Sequence, residues 1–139
     1  MILAHNLAIL YISRSDLPNA AGYLKLAVVG DNIDNKTRAQ WFYELALVSN
    51  ASEEYCEAIN YAREAISNNS NFGKAYMTLG DAIVAARTYL GDDLHQRAAY
   101  WAATDKYAKA ASLDRSLEAD VNRKITEYAG QYPDNEDVF

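Results

Sequence analysis

Residues 42–66 read FYELALVSNASEEYCEAINYAREAI, and this stretch indicates how the chain folds. Its apolar and small residues recur at three- and four-residue steps, which is the spacing of one face of an α-helix. The polar run Ser49-Asn50-Ala51-Ser52 interrupts the pattern. We therefore expect a helix, a turn over this run and a second helix that begins near Ser52, where Glu53 and Glu54 suit a helix N-terminus electrostatically.

The same pattern recurs 34 residues further along the chain. The residues in register are Phe42, Leu45, Ala46 and Ser49 with Tyr76, Leu79, Gly80 and Ile83. Similar spacing occurs near the N-terminus, where Leu7, Ala8 and Tyr11 precede a turn at 15–18 and a second apolar stripe. Asp16 is expected to cap that second helix, and Pro18 fits its first turn. A helical hairpin of this size cannot bury its apolar face alone, so the repeats are expected to stack.

The third unit differs from the others at its turn. Its first helix is predicted to continue through Ala86 and Tyr89 until Gly91-Asp92-Asp93 breaks it. A final stripe of Leu117, Val121, Ile125 and Tyr128 predicts one more helix that covers the end of the stack. We therefore predict a single domain over 1–139, with repeat 1 at about 1–34, repeat 2 at about 39–72, repeat 3 at about 73–116 with an insertion near 87–96, and a capping helix and tail at 117–139. Glu136 to Phe139 resembles the start of a further element, which predicts a longer parent protein.

This spacing resembles the tetratricopeptide repeat, in which large, Leu, small and Tyr residues mark helix A and Ala and aromatic residues mark helix B. The unit closest to that pattern contains Tyr76, Leu79, Gly80, Ala103, Tyr107 and Ala110. Two units depart from the pattern where a closing proline is usual, because Ser70 stands there in repeat 2 and Arg115 in repeat 3. The resemblance implies an all-α, right-handed α-solenoid of about three helix-turn-helix repeats plus a C-terminal capping helix.

The resemblance also implies a concave groove lined by the A helices. The groove positions fall at His5, Ile9, Ile12, Gln40, Tyr43, Glu44, Leu47, Asn50, Lys74, Met77, Asp81 and Val84. We predict that Tyr43, Leu47 and Met77 anchor a partner through apolar contacts. Polar contacts are expected from Gln40, Asn50, Lys74 and Asp81. Some of these positions would instead be buried if a further repeat or a neighbouring subunit packed on them.

Composition excludes several classes of function. The net charge of −6 leaves no basic field for nucleic acid. No apolar run approaches the roughly 18–20 residues of a membrane span. Cys56 is the only cysteine, so neither a disulfide nor a cysteine-based metal site forms within one chain. Carboxylate-gripping tetratricopeptide proteins carry lysines and asparagines at groove positions where this chain has His5, Ile9, Tyr43, Leu47, Met77 and Asp81, so that specificity is not expected.

No catalytic or metal site is predicted from the titratable residues. His5 and His95 stand in unrelated segments, and each is interpreted as a surface or packing residue. Asp92, Asp93 and His95 lack the spacing of a specific metal site, and helix capping explains the acids better. Trp41 is interpreted as a partly exposed packing residue. We therefore expect a protein that is not an enzyme and needs no cofactor.

Three functions are compared. The first is an interaction scaffold that binds a peptide or protein segment in the groove. The second is a self-association module of a larger envelope-associated protein, acting through the N-terminal helix or through 132–139. The third, a hydrolase or carbohydrate-binding protein that uses Asp92 and Asp93, lacks a paired nucleophile and base. Similarity of 100–110 and Tyr132-Pro133 to envelope-associated tetratricopeptide proteins of Bacteroidetes-type bacteria implies the periplasm or cell envelope, with the cytoplasm as the alternative.

Overall fold

The computed structural model describes residues 2–132, and every regular element in that range is helical. The helices are α1 (Ile2–Ser13), α2 (Leu17–Val28), α3 (Asn35–Ala51), α4 (Tyr55–Asn68), α5 (Gly73–Ala86), α6 (Asp93–Leu113) and α7 (Glu118–Tyr128). Short 3-10 segments occupy Arg87–Leu90, Arg115–Leu117 and Ala129–Gln131. The all-α prediction is confirmed, and none of these helices is long and apolar enough to cross a membrane. The predicted tail at 133–139 lies outside the described residues.

The turn between α3 and α4 lies later than the sequence pattern predicted. Helix α3 continues through Ala51, and Ser52 caps its C-terminus instead of starting α4. The polar run that begins at Ser49 does not form the turn, because the helix continues through it and buries Ser49, which is 2% exposed. The chain instead reverses at Glu53, whose positive φ of 63° lets the N–H of Glu54 donate to the Ser49 carbonyl at 2.9 Å. This left-handed residue after the helix is a common C-terminal cap.

The turn between α1 and α2 has the same construction. Ser15 adopts a φ of 58°, and the N–H of Asp16 donates to the Tyr11 carbonyl at 2.9 Å. Asp16 then caps α2 by accepting from the Asn19 N–H, with Pro18 in the first turn, as predicted. Two hairpins therefore use one turn geometry although their turn sequences differ.

The first compact unit spans Met1–Ser70 and contains α1 to α4. Its core is built from small residues and a few large ones, because alanines allow helix axes to approach closely. The buried members are Ala8, Leu24, Leu45 and Val48 in one cluster and Ala27, Val28 and Trp41 in another. The prediction of partial exposure for Trp41 is wrong: its indole is 6% exposed because the His5 ring stacks on it with centroids 4.7 Å apart.

The second compact unit spans Asn71–Phe139 and contains α5 to α7 within its described part. Its core contains Val84, Ala103, Tyr107, Ala110 and Val121. Helix α7 packs on α6 through the predicted stripe, in which Val121 is buried and Ile125 and Tyr128 are partly buried.

The insertion near 87–96 becomes a 3-10 turn followed by the first turn of a long helix. Gly91 has a φ of 84°, and Asp92 caps α6 by accepting from the His95 N–H at 2.8 Å. The His95 ring also bonds to the Asp92 carboxylate. The bond from the His95 backbone has the larger effect and the bond from its ring the smaller, and both hold the pKa of Asp92 below its usual value. The predicted capping role of Asp92 is confirmed, and Asp93 begins the helix.

Candidate binding cleft

Helices α1 and α3, together with the start of α2, enclose an open cleft of about 350 Å³ in the first unit. Its lining residues are Ile9, Ile12, Leu17, Glu44, Leu47, Val48 and Ala51. Positions three and four apart on a helix share a face, which explains why 9 and 12 on α1 and 44, 47, 48 and 51 on α3 point to one space. Four of these residues are groove positions implied by the tetratricopeptide resemblance: Ile9, Ile12, Glu44 and Leu47.

The walls of the cleft are apolar and only partly covered. Ile9 and Leu47 are each 43% exposed, while Val48 beneath them is buried. Large aliphatic side chains are commonly buried in a folded protein, and single exposed ones are ordinary. Here two of them, one on α1 and one on α3, line the same cleft, so a partner side chain in the cleft would contact both helices.

One end of the cleft carries a fixed carboxylate. The Glu44 Oε2 accepts from His5 Nε2 at 2.6 Å, and Gln40 Nε2 lies 3.5 Å from Oε1, at the long limit of a hydrogen bond. Both ionisable side chains are mostly covered, with 19% of His5 and 18% of Glu44 exposed. Because the His5 ring also stacks on Trp41, the donor of this pair is held on two sides.

The four predicted site residues of the first unit differ in their relation to the cleft. Leu47 lines it, whereas Gln40 reaches it only through Glu44. Tyr43 and Asn50 are half-buried and are not among its lining residues. The Asn50 Oδ1 is inaccessible to solvent and has no hydrogen-bond partner among the described residues.

The predicted site residues of the second unit occupy different environments. Met77 is half-buried against the Val84 and Tyr107 core, and Lys74 is exposed. Asp81 is already engaged within its own unit, since its Oδ1 accepts from Tyr107 Oη and from Lys124 Nζ, each at 2.7 Å. Sequence reasoning missed these two partners of Asp81, which lie on α6 and α7.

Tyr107 is the most deeply buried large side chain of this network. Burial raises its pKa far above the usual range, and the hydrogen bond to Asp81 and the negative charge of that carboxylate add to the effect. The Lys124 ammonium lies 5.5 Å from the ring centroid. The phenol of Tyr107 therefore keeps its proton at alkaline pH values where a free tyrosine would lose it, and the network joins α5, α6 and α7. Among residues 2–132 no three His, Cys, Asp or Glu side chains come together as metal ligands.

Comparison with known proteins leaves the family open. No protein-family model matches the chain, and no curated protein matches it. The tetratricopeptide resemblance thus depends on the residue pattern, and function must be argued from the cleft itself.

Proposed function

We propose that the protein is a tetratricopeptide-like scaffold that binds a peptide or protein segment in the cleft between α1 and α3, and that it acts by binding and not by catalysis. The observation that carries this proposal is the pair Ile9 and Leu47, two aliphatic side chains left 43% exposed on the α1 and α3 walls of the same cleft. An aliphatic side chain of the partner would bury apolar surface against both residues. Such burial stabilises a complex by about 25 cal/mol per Å².

The form of the site also supports a binding role. Its walls come from helices that are held by buried residues such as Ala8 and Leu45, so the cleft exists without a partner. A preformed surface loses little conformational entropy on binding. Glu44, the charged residue among the described lining residues, would fix the orientation of a ligand whose affinity comes from apolar contacts.

The test places a charge in the cleft and compares it with the same change elsewhere. Leu47→Asp puts a carboxylate among the apolar walls, while Leu26→Asp makes the same change on α2, where Leu26 is 53% exposed and lies outside the cleft. We expect partner affinity to fall at least about 10-fold in the first variant, because an unpaired charge would be buried, and to remain unchanged in the second. Affinity capture from the source cell's lysate, followed by titration of the captured protein, measures this.

Circular dichroism establishes that both variants keep their helical content before capture is compared. Equal retention of the partner by Leu47→Asp and wild type would exclude the cleft as the binding site. Loss with Leu26→Asp alone would instead place binding on the outer surface of α2.

Self-association is a second proposed function, favoured by a separate surface of the first unit. Leu3 and Leu10 lie seven residues apart on one side of α1 and are 72% and 43% exposed. A shallow hollow of about 310 Å³ on α2 is lined by Asn19, Gly22, Tyr23 and Leu26. Tyr11 stacks on Tyr23 with centroids 5.5 Å apart, so the hollow borders α1. The part of the C-terminal alternative at 133–139 lies outside the described residues.

The same two variants also test self-association, but here Leu26→Asp is the disruptive change and Leu47→Asp is the control. The mass of the wild type, measured by sedimentation equilibrium over a range of concentrations, is expected to rise with concentration. Leu26→Asp is expected to remain monomeric, because the carboxylate would be buried between copies, and Leu47→Asp is expected to associate like the wild type. A wild-type mass that stays monomeric at every concentration would contradict the proposal.

A further inference from the structure

Among residues 2–132, the cleft has one lining residue with an ionisable side chain, Glu44. An ionised carboxylate accepts about four hydrogen bonds, and this one receives a short bond from His5 and a long one from Gln40. Its side chain is 18% exposed, so part of it still faces solvent. A further donor from a ligand would therefore find acceptor capacity at this end of the cleft.

The surrounding charges favour a cationic donor. Residues 1–70 contain eight Asp and Glu against five Lys and Arg, and no Lys or Arg in the described part of the chain lines the cleft. The nearest cation along α3, Arg38, is committed to the carbonyl oxygens of Val28 and Gly30. A ligand carboxylate would approach Glu44, whose contact with His5 is an ion pair only when the imidazole is protonated, and would meet no Lys or Arg among the described lining residues.

A wholly apolar ligand is also a poor match. It would remove water from Glu44 and leave unsatisfied the acceptor capacity that His5 and Gln40 do not use, which costs binding free energy. A lysine or arginine on the ligand would satisfy the carboxylate while an adjacent aliphatic side chain occupies the space between Ile9 and Leu47. Glu44 and Leu47 are one helical turn apart, about 4.5 Å along the axis of α3, so the two ligand side chains must be close neighbours.

We infer that the cleft binds a segment that carries an aliphatic side chain next to a lysine or arginine, and this inference rests on the proposed binding function. The aliphatic side chain packs between α1 and α3, and the cation pairs with Glu44. The partner class is thus a basic amphipathic peptide or protein segment, and not an acidic or uncharged one.

Random 12-residue peptides displayed on phage provide the probe. They are selected on the wild-type protein alone, and the enriched peptides are then synthesised and measured on the wild type and on each variant. We expect them to combine Leu, Ile, Val or Met with Lys or Arg and to lack Asp and Glu. Their affinities, from fluorescence anisotropy, are expected to fall about 10-fold with Glu44→Gln and to depend on salt.

Two matched controls separate this effect from a general change of charge or fold. Glu64→Gln removes an exposed carboxylate on α4 outside the cleft, and it is expected to change affinity less than about twofold. Replacing the peptide's lysine by norleucine or glutamate leaves the protein untouched. Norleucine is expected to cost about as much as Glu44→Gln, and glutamate more.

The outcomes distinguish the two proposals. If the selected peptides are acidic or uncharged, or if the norleucine peptide binds as well as its parent, the basic partner class is wrong while cleft binding stands. If no selected peptide loses affinity for Leu47→Asp, the cleft is not a peptide-binding site and both proposals fail.

Discussion

Gly80→Ala is expected to destabilise the protein by about 1–3 kcal/mol, although alanine normally favours a helix interior over glycine by about 1 kcal/mol. A Cβ at position 80 would lie 2.6 Å from Cε1 and 2.9 Å from Cδ1 of Tyr107. The ring cannot retreat easily, since it is fully buried and its hydroxyl is bonded to Asp81. Leucine at this position is expected to cost more. Urea unfolding followed by circular dichroism measures the change.

Gly22→Ala is the matched control for this prediction. Gly22 also lies within a helix, α2, but no neighbouring atom of residues 2–132 lies within 4 Å of the place where its Cβ would stand. Alanine there is expected to stabilise the protein by up to about 1 kcal/mol. A Gly80→Ala variant as stable as Gly22→Ala would show that α5 and α6 are not in the close contact described.

The close approach of α6 to Gly80 could be predicted because the prediction needs only the 34-residue interval between repeats. The 34-residue register places Gly80 at the position of Ala46, and both are small because a second helix passes close by. The end of α3 was not predictable in the same way. Ser49 reads as a turn residue, yet it is buried in the helix, and the chain reverses at Glu53, a residue type with no particular preference for positive φ.

Parts of the candidate cleft were also predictable, and others were not. The resemblance to the tetratricopeptide repeat implied Ile9 and Leu47 as groove positions, and both line the cleft. The pairing of His5 with Glu44 joins residues 39 positions apart. Such a contact depends on how α1 meets α3, which spacing within either helix does not determine. The same reason explains why Asp81 was predicted as a ligand-binding residue without its bonds to Tyr107 and Lys124.

Tyr107→Phe is expected to lower the free energy of unfolding by about 1 kcal/mol at pH 7, the usual net contribution of one hydrogen bond. It is also expected to make stability less sensitive to alkaline pH. The unfolded chain releases the phenol proton near pH 10, whereas the folded state, in which the pKa of Tyr107 is raised, retains it. The folded state then binds more protons, so stability falls as pH rises, by about 1.4 kcal/mol between pH 9 and 11 for this one group.

Urea unfolding at pH 7, 9, 10 and 11 checks both parts of this prediction. The alkaline loss of stability in Tyr107→Phe is expected to be smaller than in wild type by about 1.4 kcal/mol, the contribution of one proton. Tyr89→Phe, which changes a tyrosine 67% exposed in the 3-10 turn, is expected to leave the profile unchanged. Parallel wild-type and Tyr107→Phe profiles would mean that Tyr107 ionises as readily in the folded chain as in the unfolded one. Its burial against Asp81 would then not hold the proton, and the contact between α5 and α6 would have to be more open than described.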